Sequence, residues 1–268
     1  MAKKKSPDEL TFWDHLDELR IILFRLIIVW IILAIGYFIA MPYLFDQVIL
    51  APCHDDFIFY SFLKWIGEVF HLKDDFFTQE FHVSLININL AAPFFIHIST
   101  ALWMSVVTTV PYLLYEVWKF ISPALYQHER RGVKKALGIG TVMFFLGVLV
   151  GYFMVYPLTL RFLSTYQLSS TIVNQISLNS YIDNFMVLVL CMGLAFELPL
   201  VTWLLSVFGI INRDFLRKYR RHAVVIIVVV AAIITPTGDP FTLTAVSLPL
   251  YLLYELSILM IKNKEEKC

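Results

Sequence analysis

The chain has 268 residues, 59% of them hydrophobic and only 16% charged, and its 21 basic side chains balance 21 acidic ones. With a mean hydropathy of +0.74, it exceeds the roughly half apolar, quarter charged composition of a soluble domain, so the sequence predicts an all-α integral membrane protein. Ten Gly and eleven Pro exclude a low-complexity chain, and zero net charge argues against a nucleic-acid binder with one dominant basic face. Cys53, Cys191 and Cys268 are far apart, and the seven histidines are scattered. Neither a metal site, a cofactor site nor a structural disulfide is expected from that spacing.

A helix crossing the hydrocarbon core needs about 20 mostly apolar residues, and six candidate spans meet or approach that requirement. The first covers about 21–41, with only Arg25 inside, and is too long for a signal-peptide core. A long outer loop follows over 43–93, where FIFYSFLKWIGEVFHL has apolar residues at helical spacing, as expected of an amphipathic helix on the outer surface. The second span covers about 94–120 with Pro111 inside as a predicted kink. The third covers about 135–156, where Gly138, Gly140, Gly147 and Gly151 offer close helix contacts.

The fourth span, about 181–208, is interrupted by one charge, Glu197. The fifth and sixth, about 223–235 and 241–261, flank a PTGDP turn. The fifth is short, so its pair is read either as short spans in a locally thinned bilayer or as a re-entrant hairpin. Short spans are favoured, because VVIIVVVAAII faces no polar cavity of its own. Eighteen of the 21 basic residues fall on one side of this arrangement, leaving Lys64, Lys73 and Arg161 on the other. The positive-inside rule then puts both termini in the cytoplasm. The outer loop carries seven acids against two lysines.

Eight acidic residues stand out. Glu197 lies near the expected midplane and Pro199 follows it. A carboxylate at that depth costs several kcal/mol if ionised in lipid and so marks function by default, with a protonated packing role as the competing reading. Asp14, Asp17 and Glu18 share one face of a helix entering the membrane, where a helix-dipole role competes with a binding one. Glu129 stands beside Arg130 and Arg131, as in a simple charged loop. Glu116 and Glu255 sit within snorkelling reach of the cytoplasmic boundary, and Asp239 is a natural turn or cap residue.

Taken together, HLDELR before span one, FISPALYQHERR after span two, GYFMVYP closing span three, LAFELPLV in span four and ITPTGDPFTLTAVSLPLYLLYELS across the last two resemble the TatC family of the twin-arginine protein translocase. The resemblance runs from about His15 to Ser257. It implies a six-span, glove-shaped bundle in the bacterial inner membrane that acts as a receptor rather than an enzyme. Its implied partners are twin-arginine signal peptides of folded precursors, single-span TatA and TatB-type subunits and further copies of itself, with transport driven by the proton motive force. By resemblance, Glu18 and Glu129 are the carboxylates for the twin arginines, with Arg20, Phe120 and Pro123 in the same motifs. Glu197 with Pro199 forms an intramembrane polar site, and Pro52 and Asp239 are outer-side positions. The outer loop is longer than is usual in the family, with an acidic and aromatic insertion around Asp55 to Glu80. A proton-coupled secondary transporter using Glu197 is the alternative reading, weakened by the lack of an internal repeat and of a second intramembrane ionisable partner.

Overall fold

The computed structural model describes residues 12–69, 83–122, 127–166, 169, 174–235 and 239–261, with the side chains of 12, 14, 15 and 127–131 outside that description. The first helix, α1 (Phe12–Leu44), runs without interruption through the apolar segment and passes into a π-helical turn over Phe45–Ile49 and a 3-10 turn over Ala51–Cys53. The loop that follows supplies α2 (Ile58–Val69). Then come α3 (Ala92–Ile121), with Pro111 inside one continuous helix, and α4 (Gln127–Val150), which continues through a π turn at Gly151–Val155 into α5 (Tyr156–Thr165).

The segment read as one fourth span is two helices, α6 (Leu178–Ala195) and α7 (Leu198–Val207). Pro199 has no N–H to donate and sits at the start of α7, so the ladder is interrupted at Phe196 and Glu197. Gly209 adopts φ +74° just beyond α7, a conformation that costs a residue with a Cβ more than it costs glycine. A short surface helix, α8 (Arg213–Lys218), is capped by the Asn212 side chain, which accepts the Phe215 N–H at 2.7 Å. The chain then returns through α9 (Arg220–Ile234) and α10 (Pro240–Met260). Among the described residues, five helical segments are long and apolar enough to cross a membrane, and α9 is not one of them. Its 15 residues span about 22 Å.

Packing follows three pairings. Helix α1 lies antiparallel to α3: Trp30 Nε1 donates to the Leu102 carbonyl at 3.3 Å, the Tyr37 and Thr108 hydroxyls bond at 2.7 Å, and His97 Nε2 donates to the Phe38 carbonyl at 2.8 Å. The second pair, α4 and α6, meets through glycines. A Cβ on Gly147 would lie 2.6 Å from the Met192 carbonyl oxygen, one on Gly151 3.0 Å from Met192 Cβ, and one on Gly193 2.8 Å from both Phe144 and Val148. Gly138 faces open space and takes no part, unlike Gly140, whose Cβ would meet Leu200 and Glu197. The third grouping packs α10 against α7 and α9.

Polar connections concentrate at the end of the bundle where α1 terminates, where the chain leaves regular helix and its carbonyls need new donors. The Tyr152 hydroxyl donates to Val48 O at 2.8 Å, Tyr181 to Ile49 O at 2.5 Å and Tyr60 to Pro52 O at 2.8 Å. Two short strands, β1 (Leu85–Ile86) and β2 (Ile176–Ser177), pair in parallel and tie the loop before α3 to the loop before α6. The largest buried cluster lies at this end, around Met41, Ile49, Tyr60, Tyr156, Tyr181, Phe185 and Met192. A smaller one, built on Val133, Leu137 and Leu200, is braced by Trp118 and Trp203.

Candidate functional site

Glu18 lies on α1 two turns before Arg25, and is half-buried, whereas Arg20 is exposed with its guanidinium 5.6 Å from the Phe24 ring centre. The α1–α3 pairing fixes the surroundings of Glu18. Arg25 reaches Glu116 at 3.7 Å, so continuing the antiparallel register by about two turns sets Glu18 level with the C-terminal end of α3, where Phe120 is half-buried. Chain direction then leads from Phe120 to Pro123, which falls outside the described residues, and to Glu129. The backbone of Glu129 belongs to the first turn of α4, and its side chain is outside the description.

Glu116 is not a snorkelling residue. It is 2% exposed, accepts the Tyr112 hydroxyl at 2.8 Å and faces Arg25. A buried carboxylate with a nearby cation links α1 to α3 directly beneath the level of Glu18, and the sequence alone did not pair the two residues. An Arg and a Glu 91 positions apart become legible as partners only once the two helices are known to be antiparallel neighbours. Glu255 also has a partner, accepting from Arg220 at 2.7 Å and from the Tyr251 hydroxyl at 3.2 Å. That bond fastens α9 to α10 at the end opposite their connecting turn.

Glu197 stands at the α6–α7 break. Both carboxylate oxygens are buried and, among the described residues, have no hydrogen-bond partner. One of them lies where a Cβ on Gly140 would come within 2.9 Å, so the absence of a side chain at Gly140 is what admits the carboxyl group against α4. A cavity of about 320 Å³ opens beside it, lined by Gly132, Lys135, Ala136, Gly140, Pro199 and Trp203. The group is thus held in an apolar wall with unused acceptor capacity.

Beyond the C-terminal end of α1, Pro52 is buried in the 3-10 turn, and its carbonyl takes the Tyr60 hydroxyl. Burial, partly offset by a bond with Tyr181, pushes the adjacent Cys53 thiol up to about 11. Asp239 is the N-cap of α10, its carboxylate accepting the Thr242 N–H at 2.8 Å, as the turn reading anticipated. None of these groups is arranged as a nucleophile with a base. The geometry offers Glu18 near one end of the bundle, the buried carboxyl group of Glu197 at the α6–α7 break and tyrosine-clasped turns at the other end.

This architecture defines a multi-pass helical membrane protein. The model of the family described as "Sec-independent protein translocase protein (TatC)" matches residues 14–249. The chain is 34% identical over 256 residues to the TatC protein of Blattabacterium sp. subsp. Periplaneta americana, covering 95% of this chain and 96% of that one. It is 36% identical over 255 residues to TatC of Aquifex aeolicus, covering 95% of each. A crystal structure titled as the twin-arginine translocase receptor TatC in DDM superposes with a TM-score of 0.71 at 32% identity, over 93% of this chain and all of that one. The chain belongs to the TatC family of Sec-independent protein translocase proteins.

Proposed function

We propose that this protein is the signal-peptide receptor and core subunit of a twin-arginine translocase in the bacterial cytoplasmic membrane. In this reading, Glu18 and Glu129 each take one guanidinium of the twin-arginine motif, while Phe120 and Pro123 shape the floor between them and Arg20 flanks it. The observation that carries the reading is the α1–α3 register, which aligns Glu18 with the end of α3 immediately before the segment leading to Glu129. A guanidinium presents a planar fork that a carboxylate accepts bidentately, and a partly dehydrated membrane surface strengthens the pair. Two carboxylates on different helices therefore select two arginines.

Five long apolar helices and the shorter α9 give six crossings of a glove-shaped bundle, with both termini on the cytoplasmic side that holds most of the basic residues. Glu197, buried and without a hydrogen-bond partner among the described residues, is with Pro199 the contact for a polar group on a single-span TatA or TatB-type subunit within the membrane. Self-association completes the translocase, and the proton motive force drives it. Pro52 and Asp239 hold the outer turns in place. The solute-transporter alternative has no observation in its favour, since the family is a protein translocase component.

Photo-crosslinking of a twin-arginine signal peptide to the protein in membrane vesicles tests the assigned site. Glu18→Ala and Glu129→Ala are each expected to reduce capture strongly while leaving the protein's level in the membrane unchanged. Undiminished capture by both variants would overturn the assignment.

A further inference from the structure

Helix α2 belongs to the acidic and aromatic stretch of the outer loop, and it carries three distinct faces. At about 100° per residue, Phe59, Tyr60, Leu63 and Gly67 fall on one side and are buried against the bundle. Ser61, Lys64 and Glu68 form a second, polar side, where Lys64 pairs with Asp55 at 3.3 Å. Ile58, Phe62, Trp65 and Val69, spaced i, i+4, i+7 and i+11, form the third. All four are more than half exposed, and Phe62 and Trp65 stack with ring centres 6.1 Å apart. A cap helix standing in water needs only the first two of these faces.

The depth of α2 explains the third. Phe57, immediately before its first turn, stacks on Phe153 at 5.6 Å and meets Tyr152 edge-on at 5.5 Å. Both partners belong to the π turn within the long apolar helix running from Gly132 to Thr165. The helix thus starts against the membrane-spanning part of the bundle and not above it. Met154, next to Phe153, is itself 48% exposed, so that span presents apolar surface outward at the level where α2 begins. A helix with protein beneath it, apolar side chains on one flank and charges on the other is at a three-way boundary of protein, lipid and water. Tryptophan and phenylalanine favour that level of a bilayer.

We propose that α2 is embedded in the outer leaflet, with Ile58, Phe62, Trp65 and Val69 against lipid acyl chains and the flank of Ser61, Lys64 and Glu68 towards water. This makes the outer loop a lipid-binding element that widens the bundle's membrane footprint, and it holds whether or not Glu18 and Glu129 capture arginines.

Spin labels at Phe62→Cys, Trp65→Cys, Ser61→Cys and Glu68→Cys, in full-length protein lacking its native cysteines and reconstituted in phosphatidylethanolamine–phosphatidylglycerol bilayers, test this placement. The ratio of oxygen to nickel-chelate accessibility should be several-fold higher at 62 and 65 than at 61 and 68. Equal ratios at all four sites would overturn the proposal. So would immobilised labels at 62 and 65 closed to both reagents, which would mean that a second copy or another protein covers the stripe. A second measurement keeps every native cysteine. The fluorescence lost on changing Trp65→Phe should be strongly quenched by lipids brominated near the head of the acyl chain, and absence of quenching would contradict the placement independently.

Discussion

Replacing Gly147 by alanine tests the packing that holds the two halves of the bundle together. The added Cβ would sit 2.6 Å from the Met192 carbonyl oxygen and 2.7 Å from Phe196 Cβ, whereas ordinary contact begins near 3.4 Å, so α4 and α6 must part by about 0.8 Å. Neither obstacle is the far end of a flexible chain, and backbone cannot swing aside. Overpacking of this kind costs about 1–3 kcal/mol, against which alanine recovers up to about 1 kcal/mol of helix propensity. Gly138 provides the internal control, because its Cβ would meet nothing within 4 Å and only the propensity gain remains. Gly147→Ala should therefore be less stable than Gly138→Ala by about 2 kcal/mol, a factor of about 30 in the folding equilibrium. Reversible unfolding of the purified protein in mixed micelles, followed by circular dichroism, reads this difference. Equal stability of the two variants would refute the glycine-mediated contact.

Removing Arg25 leaves the Glu116 carboxylate buried without its cation. Because Arg25 is itself nearly half exposed and 3.7 Å away, the full cost of breaking a buried pair is reduced, and Arg25→Ala should destabilise by about 1–2 kcal/mol. Adding Glu116→Gln should recover most of that loss in a double-mutant cycle, and strictly additive losses would contradict the pairing. Asp239→Ala removes the N-cap of α10 and should cost about 1 kcal/mol in the same assay, with Asp239→Asn nearly neutral. Cys53 should resist a membrane-impermeant maleimide at pH 7 to 8. It is buried and its thiol is pushed up to about 11, so the reactive thiolate is scarce until pH approaches that value or the protein unfolds. Rapid labelling of native protein at neutral pH would contradict the buried outer turn.

Most of the helical framework could be read from apolar run length alone, because a bilayer leaves the backbone few alternatives to helix. The amphipathic pattern of α2 and the capping role of Asp239 were also legible, each being local. What escaped was tertiary. The Arg25–Glu116 pair depends on which helices are neighbours and in what direction, and no spacing along the chain encodes it. Gly138 was grouped with the packing glycines although a geometric signal separated it. Gly140, Gly147 and Gly151 recur at seven and four residues and share one face, while Gly138 lies about half a turn away from Gly140. The interruption of the fourth span by Glu197 is legible in the sequence, but its division into two helices is not, since a proline inside an apolar run is equally compatible with a kink. The tyrosine clasp on Val48, Ile49 and Pro52 was invisible because its acceptors are backbone carbonyls.

The most direct test of the receptor reading is the affinity of a labelled twin-arginine signal peptide for the protein in nanodiscs, measured beside a twin-lysine peptide and the variants Glu18→Gln and Glu129→Gln. Loss of one charge-assisted bidentate contact is worth about 1.5–3 kcal/mol, so each variant should bind roughly 10 to 100 times more weakly. The twin-lysine peptide should bind the unaltered protein with a comparable deficit, because its ammonium groups lack the fork. Equal affinity across both variants and both peptides would contradict the account.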